Sequence, residues 1–276
     1  MNVLELENRT VVITGGATGI GLGLARACGH RGAHIVIGEP RQNRLDEAVA
    51  ILEKDGIAAR AYSLDVTVAA ELEAFAEQAF TAFGDVALVI NNAGIGQQSG
   101  SVVDTSLEEM RRVMAVNFEG VWLGCKVFGE RLIKQGATAG LYNTGSENSF
   151  FVAIDNAAAY VASKHAVYGL TDALRAEMPD FIHVGMIAPG FVGSELIPES
   201  MRERGMPVDE FVEIVLPQIL AGEPYAVSHG FNLSRIRERQ QVLADAYHGF
   251  TASSLSDDRY DVKSLLSRMG RAKDER

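Results

Sequence analysis

Short β-branched runs alternate along this chain with stretches whose apolar residues recur every three or four positions. Thr10-Val-Val-Ile-Thr14 is a compact apolar run that stops at glycine, as a buried strand does. His34-Ile-Val-Ile37, Ala58 to Leu64 and Val86-Ala-Leu-Val-Ile90 read the same way. Between them, Leu45, Ala48, Val49 and Leu52, and then Leu72, Phe75, Ala76, Ala79 and Phe83, carry the spacing of helices with one buried face. The alternation βαβαβαβ predicts a doubly wound α/β fold, a parallel sheet with helices on both faces.

The pattern continues in the second half. A long helix is expected from Leu107 to about Lys134, entered by a capping box of Ser106 and Glu109. Its buried stripe would run through Met110, Met114, Asn117, Val121, Cys125, Phe128 and Leu132. Asn117 is the odd member, because a buried amide must find partners or cost a few kcal/mol. One account of it is a structural amide bonded to a nearby strand carbonyl. Leu141 to Thr144 supplies a fifth strand, Ala157 to Met178 a helix, Phe181 to Ala188 a sixth strand and Pro224 to His229 the last. With no linker or repeat, the chain reads as a single domain with its core at 8–230. A helical extension is expected over 231–276, from the spacing of Leu233, Ile236, Leu243 and Tyr247, with solvated ends at Asp257–Asp261 and Arg271–Arg276.

Composition narrows the function. Across 276 residues, 36 acidic side chains against 25 basic ones leave a formal charge of -11, which argues against a nucleic-acid or anionic-membrane partner. No apolar run reaches spanning length and the start lacks the order of a signal peptide, so a cytoplasmic protein is expected. Cys28 and Cys125 sit in apolar helical patterns and read as buried thiols. No histidine has metal-ligand spacing, and no metal is expected. His229 is the histidine placed to neighbour a substrate.

Two local patterns point to chemistry. Gly15-x-x-x-Gly19-Ile20-Gly21 lies between the first strand and its helix, where glycines allow a pyrophosphate close to the backbone. Glu39 ends the second strand, placed to bond a ribose diol and repel a 2′-phosphate. Arg41 and Arg44 could turn toward such a phosphate, although a solvated helix start is the stronger reading. Tyr160 and Lys164, four apart, share one helix face. An ammonium about 4 Å from a phenol would favour the phenolate by roughly 4 kcal/mol, or about three pKa units before screening.

Thr14-Gly-Gly-Ala-Thr-Gly-Ile-Gly21, Asp65-Val66, Asn91-Asn-Ala-Gly94, Asn117, Ser146, Tyr160-Val-Ala-Ser-Lys164 and Pro189-Gly190 together resemble the short-chain dehydrogenase/reductase family, in its order over roughly residues 8 to 196. The resemblance implies a Rossmann fold and an NAD(P)-dependent oxidoreductase acting on a secondary alcohol or ketone. By it, Gly15, Thr18, Gly19, Ile20 and Gly21 would hold the dinucleotide, with Glu39 favouring NAD(H) over NADP(H). Asp65 and Val66 would take the adenine end, and Asn91, Ala93 and Gly94 would line the groove. Pro189, Gly190, Val192 and Ser194 would flank the nicotinamide. Tyr160 would be the acid/base, Lys164 would lower its pKa and bind the nicotinamide ribose, Ser146 would bond the substrate oxygen, and Asn117 would break its helix and hold a relay water.

Departures from the family pattern are specific. Ser146 stands 14 residues before Tyr160, one more than expected, with Ser149 as the alternative hydroxyl. Gly185 stands where the family often has asparagine. Residues 191–220 fall where the family has a substrate lid. Phe150, Phe151, Ile154, Phe191, Leu196, Met201, Met206 and Phe211 would then surround the reacting carbon, about half of them packing the core instead; Phe151, Phe191 and Met201 are the named substrate contacts. An apolar or ring-containing substrate follows. The family also implies a homodimer or homotetramer. Epimerisation or dehydration with tightly held NAD fits the glycine spacing poorly, and a non-catalytic binding protein is disfavoured because Ser146, Tyr160 and Lys164 are all present.

Overall fold

A computed structural model describes residues 4–98, 100–250 and 261–267. Seven strands form one wholly parallel sheet in the order β3-β2-β1-β4-β5-β6-β7. They are β1 (Thr10–Thr14), β2 (His34–Glu39), β3 (Ala59–Ser63), β4 (Val86–Asn91), β5 (Ala139–Thr144), β6 (Ile182–Ala188) and β7 (Tyr225–Val227). Val11, Ile13, Ile35 and Ile37 face one helical layer, while Val12, Val36, Val89 and Leu141 face the other. That two-sided burial is why these strands read as unbroken apolar runs rather than alternating ones.

The helices are α1 (Gly19–Gly29), α2 (Gln42–Lys54), α3 (Ala69–Ala82), α4 (Leu107–Met114), α5 (Gly120–Gln135), α6 (Ala158–Glu177), α7 (Glu199–Arg202), α8 (Val208–Leu220) and α9 (Asn232–Phe250). The expected long helix is interrupted: α4 and α5 are joined by a π-helical turn over Ala115–Glu119. The widened turn shifts the buried stripe, so Val113 is buried while Met110 and Met114 are only partly covered. Asn117, Val121, Cys125, Phe128 and Leu132 are buried as expected. The capping box is half formed. Ser106 accepts from the Glu109 N–H, but the Glu109 carboxylate turns to Arg112 and the Gln98 N–H, which pull its pKa down to about 2.

Residues 191–220 divide between two surroundings. α8 buries Phe211, Val212, Val215, Leu216, Ile219 and Leu220 in the same core as α1, because its apolar positions form a full helical stripe that needs a partner. Only the stretch before it remains beside the cavity described below.

The chain divides into two compact units, Met1–Gly230 and Phe231–Arg276. The second contains α9 and a helical turn at 262–267. Within α9, Leu233, Leu243 and Tyr247 are all exposed. The expected solvated ends, Asp257–Asp261 and Arg271–Arg276, lie outside the described residues except for Asp261.

Candidate active site

Register brings the site together. Thr14 pairs with Gly38 on one side and Asn91 on the other, and Asn91 pairs with Asn143. The carboxyl ends of β1, β2, β4 and β5 therefore finish at one level, with the strand order reversing between β1 and β4. Open parallel sheets bind ligands in that crevice. A cavity of about 880 Å³ occupies it, reaching from Glu39 and Asp65 to Tyr160 and the segment Phe191 to Pro198.

The glycine turn forms one wall. Gly15 has φ of +62°, and a Cβ added there would stand 2.8 Å from the Ala93 Cα; one at Gly21 would stand 2.2 Å from the Gly15 carbonyl oxygen. Side chains are excluded from both positions, so bare backbone and the start of α1 face the cavity, the arrangement that receives a diphosphate. The Thr14 hydroxyl fixes this turn to β4 by accepting from the Asn92 and Ala93 N–H groups, at 3.0 and 3.1 Å. Thr18, Gly19, Ile20, Glu39, Asp65, Val66, Ala93 and Gly94 all line the same space. These features fit a dinucleotide. Glu39 is buried and accepts from Arg41 Nε at 2.5 Å.

Asn91 does not line the cavity. As the last residue of β4 it faces α5, donating to Asn143 Oδ1 at 2.9 Å with Cys125 beside it. Its own Oδ1 is the buried side-chain polar atom without a partner among the described residues. Asn92, one residue on, is the cavity residue, and its amide donates to the Thr14 and Gly15 carbonyls.

At the other end, Tyr160, Ser146 and Lys164 are buried together. Lys164 Nζ donates to the Thr144 carbonyl at 2.9 Å and stands 5.7 Å from the centre of the Tyr160 ring. The expected depression of the tyrosine pKa is reversed in the protein alone. Burial raises it, a hydrogen bond with Ser146 opposes the rise, and the Glu147 carboxylate adds to it. Lysine is affected by the same burial, which lowers its pKa to about 8. Desolvation is the leading cause for both groups.

Ser146 accepts from the Asn148 N–H at 3.2 Å and lines the cavity. Ser149 does not. Its hydroxyl donates to the Lys164 carbonyl at 2.8 Å and accepts from the Ser146 N–H at 3.2 Å, tying the turn after β5 to α6. The Asn117 side chain is likewise committed: Oδ1 accepts from the Ile95 N–H at 2.8 Å, and Nδ2 donates to the Ile95 carbonyl at 2.9 Å and to Ser163 at 3.2 Å. These bonds clamp the loop after β4, while the π turn places the amide beside Gly94 and Lys164.

Gln97 is a residue the sequence reading missed. Ala157, the residue before α6, supplies no side-chain cap. Gln97 Oε1 does so from across the site, accepting from the Ala159 N–H at 2.7 Å and the Tyr160 N–H at 3.3 Å. The absent local cap was the one sequence signal for it.

Pro189, Gly190, Val192 and Ser194 line the cavity with Phe191, Leu196 and Ile154. Phe151 and Met201 do not; Phe151 is buried away from it and Met201 is exposed on α7. Phe150 packs against Tyr168 and Tyr225, Met206 against the core, and Phe211 within it. His229 is outside the lining too, its ring set behind Gly190. Cys28 and Cys125 are free, buried thiols whose pKa values burial raises to about 12. Among the described residues there is no acid, histidine or cysteine cluster suited to a metal, and no helix long and apolar enough to cross a membrane.

Known proteins match the chain over most of its length. A family model described as short chain dehydrogenase matches residues 9–205. The chain is 38% identical over 189 residues to the probable oxidoreductase EphD of Mycobacterium tuberculosis, covering 68% of this chain but only 31% of that protein. It is 33% identical over 228 residues to the L-tagatose-forming galactitol 2-dehydrogenase of Cereibacter sphaeroides, covering 82% of this chain and 87% of that one. A short-chain dehydrogenase/reductase from Burkholderia phymatum, solved with NAD, superposes with a TM-score of 0.81 at 25% identity, over 87% of this chain and 95% of the other. An alcohol dehydrogenase from Thermococcus sibiricus, complexed with 5-hydroxy-NADP, does so at 0.71 and 28% identity, over 80% and 95%. Over residues 9–205, from its first strand past the loop that lines the cavity, the chain belongs to the short-chain dehydrogenase/reductase family.

Proposed function

We propose that the protein is an NAD(H)-preferring oxidoreductase that interconverts a secondary alcohol and a ketone, with Tyr160 as the acid/base. The observation that carries this reading is the meeting of Tyr160 and Ser146 at one end of a cavity whose other end is bare glycine backbone. When bound, the nicotinamide supplies or accepts the hydride. The chain's own groups handle the proton and the charge. Ser146 donates a hydrogen bond to the substrate oxygen, stabilising charge that develops there. Tyr160 gives its proton to that oxygen in reduction and takes it back in oxidation. Lys164, anchored on the Thr144 carbonyl, would hold the ribose hydroxyls of a bound dinucleotide, and its positive charge would favour the phenolate that forms as Tyr160 gives up its proton.

Preference for NAD(H) is supported by the buried Glu39 carboxylate at the ribose end. An apolar substrate is supported by Val116, Ile154, Phe191, Leu196 and Ile197 in the lining, since Gln97 and Asn148 are committed to backbone N–H groups. A homodimer or homotetramer forming through α5 and α6 completes the reading; Trp122 and Ile133 of α5 are exposed, and a monomeric mass by light scattering would refute it. The activity is tested by following absorbance at 340 nm with a panel of alcohols and ketones. Sustained, substrate-dependent change is expected, faster with NAD(H) than with NADP(H); no exchange with any member would reject the assignment.

A further inference from the structure

Glu195 belongs to the cavity wall that carries Phe191, yet it reaches to the opposite rim. One carboxylate oxygen accepts from Arg41 Nη1 at 3.2 Å, and the other meets Arg44 Nη2 at 2.7 Å. Arg41 is also bound by Glu39, and Arg44 by Glu47 at 2.8 Å. Two guanidiniums are therefore shared among three carboxylates, at the point where Glu39 faces the ribose end of the cavity. Neither arginine presents an uncommitted fork to that space. A guanidinium fork is the group that recognises a phosphate through paired charge-assisted hydrogen bonds.

We propose that Glu195 is a specificity-determining residue. By occupying Arg41 and Arg44 from across the cavity, it withholds both from a 2′-phosphate and leaves that position with a net negative surround. Discrimination against NADP(H) is then set jointly by the end of β2 and by the loop after β6. Glu39 alone would leave Arg41 Nη1 and Arg44 Nη2 available to the phosphate. The proposal rests on the NAD(H) reading above.

The test measures dissociation constants for NADH and NADPH, from nicotinamide fluorescence at low ionic strength, in the wild-type chain and in Glu195→Gln. Wild type should bind NADH more tightly. Glu195→Gln should tighten NADPH about tenfold or more, the worth of one new charge-assisted hydrogen bond, with NADH little changed. Adding Arg41→Ala and Arg44→Ala to that variant should abolish the gain. An unchanged ratio of the two constants in Glu195→Gln would overturn the role of Glu195 while the NAD(H) reading stood. Equal weakening of both dinucleotides would also overturn it, reducing Glu195 to a tie between loop and α2. A wild-type preference for NADPH would overturn the NAD(H) reading and, with it, this proposal.

Discussion

The Lys164 ammonium stands 5.7 Å from the centre of the Tyr160 ring and is bonded to the Thr144 carbonyl, so lysine and tyrosine are both held away from water. Sequence spacing suggests that the cation simply acidifies the phenol. Burial instead raises the tyrosine pKa and lowers the lysine pKa to about 8. Near neutral pH the protein alone thus carries a protonated phenol beside an ammonium that is close to releasing its proton.

Replacing Tyr160 with Phe should lower kcat by about 100-fold or more, the usual worth of a positioned acid/base. Dinucleotide affinity should remain close to that of the wild type, because the glycine turn is untouched. Steady-state kinetics and fluorescence titration check the two halves separately.

The lysine shift makes a signed stability prediction. The folded pKa is about 8 against an ordinary lysine value of 10.5, so between these values the unfolded chain binds more protons. The stability Lys164 contributes is complete above about 10.5 and is lost as pH falls through about 8. Lys164→Met should therefore gain stability relative to wild type at pH 7, by on the order of 3 kcal/mol more than at high pH. Denaturant titrations at pH 7, 9 and 10.5 should show that difference shrinking as pH rises. A difference independent of pH would contradict the burial argument.

Gly21→Ala should be costly for two reasons. The added Cβ falls 2.2 Å from the Gly15 carbonyl oxygen, and relieving it moves the turn that faces the cavity. Destabilisation of about 1–3 kcal/mol is expected, as for other overpacked sites. NADH binding should weaken in parallel, as read by thermal melts with and without dinucleotide.

Gln97→Ala removes the acceptor for the first N–H groups of α6. A loss of about 1 kcal/mol is expected, as for a missing helix cap. Since Tyr160 sits in that first turn, kcat should fall more than KM rises, and Gln97→Glu, which keeps an acceptor, should restore most of the turnover.

Much of this site was legible because its signals are local. The strand-glycine-helix sequence around Gly15, the acid at the end of β2 and the Tyr160–Lys164 spacing each need only a few neighbouring residues to be read. What escaped depended on where an element ends or what packs on it. β4 stops at Asn91, so that residue faces α5 while Asn92 turns to the cavity; a boundary error of one residue exchanges them. Phe211 lies on a helix whose stripe serves a core as well as it would a lid, and only packing against α1 decides between them. Asn117 was readable as an amide needing partners, but its partner Ile95 lies in an irregular loop. The sequence around Arg41 suggests a solvated helix start, because Glu195, 154 residues away, cannot be placed beside it from the sequence.

The Ser149 hydroxyl connects two parts of the chain that must keep a fixed spacing, the turn bearing Ser146 and the helix bearing Tyr160 and Lys164. Ser146, Tyr160 and Lys164 are therefore tied to one another through a single hydroxyl. The opposing wall from Phe191 to Pro198 is built as a separate piece. A lineage could recut that wall to admit a different molecule while the Ser146–Ser149–Lys164 connection passed unchanged from one descendant to the next.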